Sequence, residues 1–407
     1  MKRTSLTIRA SLALTAIAVP AVLSGCSSGA STSSTEAVTS IAVMDWFTTT
    51  GDINAEILNT CAAKVGVTLD RQAVPSSAYL PKVLQQASSK TLPDLLMLND
   101  PDIAQIASIG ALAPLTDFNI STEGFSQAEV QAGKYKGTLY GLLATDNPYV
   151  LYYNKDLFTK AGVQPPTTWD ELKTVAAKLT SGSQYGIAFT ARAAAGPTSS
   201  SFLPFAWSNG GDETNIDSPQ FAEALQLWTD LVKSGSTSSS VLNWSSQDVA
   251  NQFATGNAAM GISSLGVAHI IDKAGTNYGI VKIPVKSTSQ KAVPGVAEHG
   301  WTIPQTGNKA KQAKAAEMVA CLTSDESQLT IAKATKHIPT RTTVADQFNA
   351  AHPELAVVTD LVKSARSRSA QLGADWPKVE AQIYNAIQAA VSGKATPSDA
   401  LKQAKNG

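Results

Sequence analysis

The side chains able to do chemistry in this 407-residue chain are scattered. Its four histidines, His269, His299, His337 and His352, stand apart, with no H-E-x-x-H pair and no Cys/His cluster, so the sequence offers no zinc site. It has neither a Walker loop nor a G-x-G-x-x-G loop for phosphates, and Gly261-Ile-Ser-Ser-Leu265 lacks the second glycine of a nucleophile elbow. A glycosidase would need two carboxylates about 5–10 Å apart, a spacing that sequence does not test. What recurs instead is tryptophan near short planar polar groups, as in Asp45-Trp46 and Trp207-Ser-Asn209. Aromatic plates stack on apolar ligand faces, and carboxylates and amides exchange hydrogen bonds with hydroxyls. Such residues serve binding more readily than turnover.

Those residues need elements to place them. Loops at the carboxyl ends of strands are where an open α/β sheet presents ligand groups. The apolar run Ile41–Met44 ends in Asp45-Trp46-Phe47, and the unbroken apolar run Leu95–Leu98 ends in Asn99-Asp100. A run without alternation predicts a strand buried on both faces. Asp52 predicts an N-cap for a helix with Ile53, Ile57, Leu58, Cys61 and Val65 on one face, closed by Gly66. Further helices are expected over 79–87 and 103–109, and a hairpin around Lys136-Gly137. Thr145-Asp-Asn147-Pro148 interrupts the pattern, and a hinge is expected there. Leu151–Tyr153 then ends a strand, Gly162 stops a short helix begun at Lys155, and Thr168 with Glu171 forms a capping box. A strand over 186–190, a helix over 202–207 and a Ser218-Pro219 helix start follow. Trp228 fits the core stripe of that last helix beside Phe221, Leu225 and Val232, and Trp169 is expected to pack in the first turn of its own. Strands alternating with helices over this length predict two α/β domains.

Tyr152-Tyr-Asn-Lys-Asp-Leu-Phe-Thr-Lys-Ala-Gly162 followed by Pro165-Pro-Thr-Thr-Trp-Asp-Glu-Leu172 resembles the most recognisable segment of family 1 extracellular solute-binding proteins, the sugar-binding subunits of ABC importers related to maltose-binding protein. Tyr135–Leu142, Phe253–Met260, Gly295–Pro304 and Ile338–Arg341 extend the resemblance over nearly the whole chain from Ile41. It implies a periplasmic-binding-protein-like α/β fold, in which two discontinuous α/β lobes joined by a hinge hold a ligand cleft between them. The expected N-terminal lobe is 39–145 with 300–350, and the C-terminal lobe 146–299 with 351–407. The implied ligand is a carbohydrate, a di- or oligosaccharide, passed to the transmembrane subunits of an ABC permease; no catalysis and no cofactor are expected. Candidate ligand residues are Asp45, Trp46, Asn99 and Asp100 in the first lobe. Asn147, Trp207, Asn209, Trp244 and Trp376 are candidates in the hinge and second lobe, and Glu298, His299 and Trp301 at the return crossing. For each tryptophan the alternative is cover for the core edge; for Asp45 and Asn99 it is a turn or helix cap. Ser263-Ser-Leu-Gly266 departs from the family, which often has an aromatic platform there.

Lys2, Arg3 and Arg9 followed by an apolar run and Leu23-Ser-Gly-Cys26 read as a lipoprotein signal peptide over 1–25 with Cys26 lipidated. The run is too short for a membrane span of about 20 residues. The Ser/Thr-rich stretch 26–38 is expected to be a tether holding a monomeric receptor on the outer face of the bacterial cytoplasmic membrane. Lysine plus arginine equals aspartate plus glutamate, 32 each, which gives no nucleic-acid footprint. Cys61 and Cys321 remain, open either to pairing or to burial as free thiols. The resemblance puts their helices in one lobe, which favours a disulfide.

Overall fold

The computed structural model describes residues 37–49, 51–193, 196–296 and 299–407. The expected signal peptide, the lipidation site Cys26 and Glu298 lie outside them. The first lobe is built on a five-stranded sheet in the order Thr68–Ala73, Ser40–Asp45, Leu95–Asn99, His299–Thr302, Gly141–Leu143. The first three strands are parallel, and His299–Thr302 runs antiparallel to both its neighbours. Leu95 and Met97 point to one face, onto Ile57, Leu58 and Met318; Leu96 and Leu98 point to the other, onto Tyr79, Val83 and Ile106. The period of two along a strand divides the apolar run between two helical layers, so no residue of it meets water.

In the second lobe Tyr278–Val281, Tyr149–Asn154 and Met260–Ser264 form an antiparallel sheet. The strand expected over 186–190 is reduced to two parallel bridges, Tyr185 to Ala258 and Ala188 to Gly261, on the free edge of Met260–Ser264. The capping signals hold. Asp52 accepts from Asn54 N at 2.9 Å, Thr168 and Glu171 form both halves of a capping box, and Gly66 and Gly162 take left-handed caps at φ 76° and 62°. Trp169 and Trp228 are buried in the second core.

Thr145–Asp146 pairs with Ile338–Pro339 in a two-stranded ribbon immediately before Tyr149–Asn154. Helix Thr342–Ala351, expected in the first lobe, packs Ala345 and Phe348 against Val150, Tyr152 and Phe253 of the second. Cys61 and Cys321 form a disulfide with Cα atoms 5.7 Å apart, joining helices Ile53–Val65 and Lys309–Leu322 of the first lobe. Among the described residues no helix is long and apolar enough to cross a membrane.

Candidate functional site

At the carboxyl edge of the first sheet Trp46 is half-buried, edge-on to Tyr79 (5.0 Å) and His299 (5.4 Å) between ring centroids. Asp45 turns inward. It is fully buried, and its oxygens accept from Arg71 Nε and Nη2, both at 2.7 Å, and from Phe47 N at 2.8 Å. A carboxylate so saturated fixes the Trp46 loop and has little capacity left for hydroxyls. Tyr79 Oη, within 2.8 Å of Met44 O and 2.7 Å of Met97 O, supports the same edge.

Asn99 ends its strand in solvent and donates from Nδ2 to Asp102 Oδ2 at 3.1 Å. Asp100 opens helix Asp100–Ser108 and is fully buried. Arg368, 6% exposed in the segment between helices Ala356–Val362 and Trp376–Val391, crosses from the second lobe to meet it. Its Nη2 donates to Asp100 Oδ1 at 2.5 Å, and its Nη1 to Ser200 Oγ at 2.9 Å. Beside Ser200, Ser199 Oγ hydrogen-bonds to Glu380, which also accepts from Gly196 N at 2.9 Å. Tyr149 Oη lies 3.0 Å from Ser246 Oγ in the same region. Burial pushes the Asp100 carboxyl up to about 7 although Arg368 pulls it down, and burial raises Asp102 to about 6 against the hydrogen bond from Asn99. Two buried polar atoms of the central pair, Asp100 Oδ2 and Arg368 Nε, have no hydrogen-bond partner among the described residues.

The remaining candidates are placed as follows. Asn147 accepts the Gly266 amide at 2.7 Å through Oδ1, tying the hinge to the loop after Met260–Ser264. Trp207 is core: Nε1 donates to Glu213 Oε2 at 2.7 Å and Arg366 covers the ring at 5.2 Å. Asn209 is used up by Gln220 O, Glu223 and Gln290. Trp301 is 3% exposed, on a central strand whose alternation turns it into the first core. Trp376 is 1% exposed in the second core, because it sits at a helix start and not in the loop before it. Trp244 is half-buried between the main second-lobe core and the small cluster of Ala188, Val249 and Ala258. These four tryptophans follow the core-edge reading. Trp46, Asn99, Asp100 and His299 gather at the sheet edge, where Arg368, Ser200, Asp102, Tyr149 and Glu380 were not anticipated. The one sequence signal for Arg368 was its setting in Ser364-Ala-Arg-Ser-Arg-Ser369, two guanidinium groups among side chains too small to bury them.

Residues 56–357 match the family described as bacterial extracellular solute-binding protein. A putative binding protein of Brucella abortus is 28% identical over 362 residues, covering 84% of this chain and 85% of that protein. The sn-glycerol-3-phosphate-binding periplasmic protein of Agrobacterium fabrum is 28% identical over 218 residues, covering 47% of this chain and 48% of that protein. Among solved structures, maltose-bound MalE3 of T. maritima superimposes with a TM-score of 0.79 at 22% identity, covering 91% of this chain and 99% of that one. UgpB from Mycobacterium tuberculosis in complex with glycerophosphocholine superimposes with a TM-score of 0.75 at 18% identity, covering 87% and 93%. With its two lobes, its hinge ribbon and its polar edge between them, this chain belongs to the bacterial extracellular solute-binding protein family.

Proposed function

We propose that the protein is a lipid-anchored receptor that captures a carbohydrate, a di- or oligosaccharide, between its lobes and delivers it to the permease of an ABC importer. The observation that carries the ligand class is the Asp100–Arg368 pair. One buried acceptor, Asp100 Oδ2, and one buried donor, Arg368 Nε, are left without partners among the described residues. A buried polar group without a hydrogen bond costs about 1–3 kcal/mol. A hydroxyl both donates and accepts, so hydroxyls of a sugar match both needs; a phosphate group, all acceptor as the dianion, matches only the second, and its ester meets the first only through the glycerol hydroxyls. Trp46 supplies the ring for an apolar sugar face. The maltose-bound neighbour supports the same reading. The glycerol-phosphate-binding relatives define the rival, a phosphate ester.

Calorimetry against neutral glycans and against sn-glycerol-3-phosphate separates the two. Heat from a glycan with none from the ester is expected, and the reverse would sink the carbohydrate reading. For the anchor, the mass of the mature protein from membranes should begin at Cys26 with added acyl chains; a chain retaining residues 1–25 would refute it.

A further inference from the structure

The polar edge between the lobes has an unequal charge. Arg368 is engaged by Asp100 and Ser200, and two further carboxylates lie close enough to act on its charge: Asp102, held by Asn99, and Glu380, held by Ser199 beside Ser200. The groups are buried or half-buried, so their fields are poorly screened. We infer that Asp100 is a specificity-determining residue: by occupying and neutralising Arg368 it excludes anionic solutes from a site whose guanidinium would otherwise attract a phosphate.

The geometry supports this beyond the charge count. Arg368 reaches from the second lobe to the first residue of helix Asp100–Ser108. A helix N-terminus is where an anion is favoured. Asp100 is the first residue of that helix, so a ligand phosphate seated there would stand beside its carboxylate and that of Asp102. Glu380 is fixed by Ser199 and Gly196 and does not turn away. Specificity of this kind comes from the repulsive element as much as from the attractive one. Relatives 28% identical are named for binding sn-glycerol-3-phosphate, which makes that ester the anionic solute to test.

The inference rests on the solute-binding reading. Its test is a ligand-observed NMR titration at pH 8 with sn-glycerol-3-phosphate as the probe and maltose as the neutral control. The wild type is expected to bind the ester more weakly than about 1 mM. Asp100→Asn, which keeps the shape and removes the charge, should gain about tenfold or more for the ester. Asp100→Asn combined with Arg368→Gln should lose that gain. Circular dichroism establishes that each variant is folded, and Asp100→Ser replaces Asp100→Asn if it is not. Tight ester binding by the wild type, no gain in the folded single variant, or a gain that survives loss of Arg368 would each overturn the inference. Silence toward every neutral glycan would count against the carbohydrate reading alone, since the ester ratios are measured independently of it.

Discussion

Replacing Arg368 with methionine should open the ligand-free protein and weaken ligand binding in a pH-dependent way. Arg368 and Asp100 are 6% and 0% exposed and lie on opposite lobes, so they lose water only when the lobes meet. Removing one partner of a buried ion pair costs about 3–5 kcal/mol through the uncompensated charge left behind. Here that cost has a ceiling, because Asp100 can instead take up a proton, its carboxyl already raised to about 7 by burial against the pull of Arg368. Protonation costs about 1.4 kcal/mol per pH unit above the group's pKa. Without Arg368 the carboxyl rises further. The gap between variant and wild type should therefore be small and level from pH 5 to about 7, where the closed form of both holds the proton, and widen toward tenfold in affinity per unit above about 7, where only the wild type's carboxyl ionises. Apparent affinity scales with the population of the closed form. Small-angle scattering of the ligand-free protein reads that population, and calorimetry at pH 5, 6, 7 and 8 reads the affinity. A ligand-free radius of gyration equal to the wild type's at pH 8, with affinity unchanged across the series, would refute the reasoning.

Three further outcomes follow from the placement of single side chains. Trp46→Ala should weaken glycan binding and lower the melting temperature less than Trp301→Ala, a core truncation that should cost about 3–5 kcal/mol of stability; thermal melts and calorimetry on both variants check the contrast. Cys321→Ser opens a link across a sequence separation of 260, worth up to about 5–6 kcal/mol by loop entropy, so its melting temperature should fall below the wild type's without loss of binding at 25 °C. Between pH 5 and 8 the wild type should lose stability as pH rises, because burial lifts Asp100 to about 7 and Asp102 to about 6, above the unfolded value of about 3.9. The folded state then holds protons the unfolded state has released. Asp100→Asn should flatten that slope, and an unchanged slope in melts would show that Asp100 does not carry it.

Much of the fold was legible because it is written locally. The Asp52, Thr168 and Ser218 caps, the Gly66 and Gly162 stops, the apolar run Leu95–Leu98 and the stripe holding Trp228 each depend on residues within a turn or two. The edge residues Trp46, Asn99 and Asp100 were legible for a related reason: they end apolar strands, and strand ends face the cleft in such sheets. The site was less legible wherever the decision lay between elements far apart in sequence. Trp207, Trp301 and Trp376 each stand within two residues of polar ones, but alternation and helix phase turn them into cores that sequence does not display. Asp45 has the chemistry of a ligand group and is consumed by Arg71, a partner 26 residues away.

By itself the sequence determined the class of protein, since strand and helix periodicity, caps and the Tyr152–Leu172 segment are properties of short stretches of chain. Tertiary structure decided which polar groups face one another. Asp100 and Arg368 are 268 residues apart, and neither shows any local sign of the other. Their pairing exists only because two lobes, each folded on its own sheet, bring a helix start and an interhelical segment to the same buried point. Burial then makes that pair matter, because a charge removed from water must be answered by another charge or by a proton.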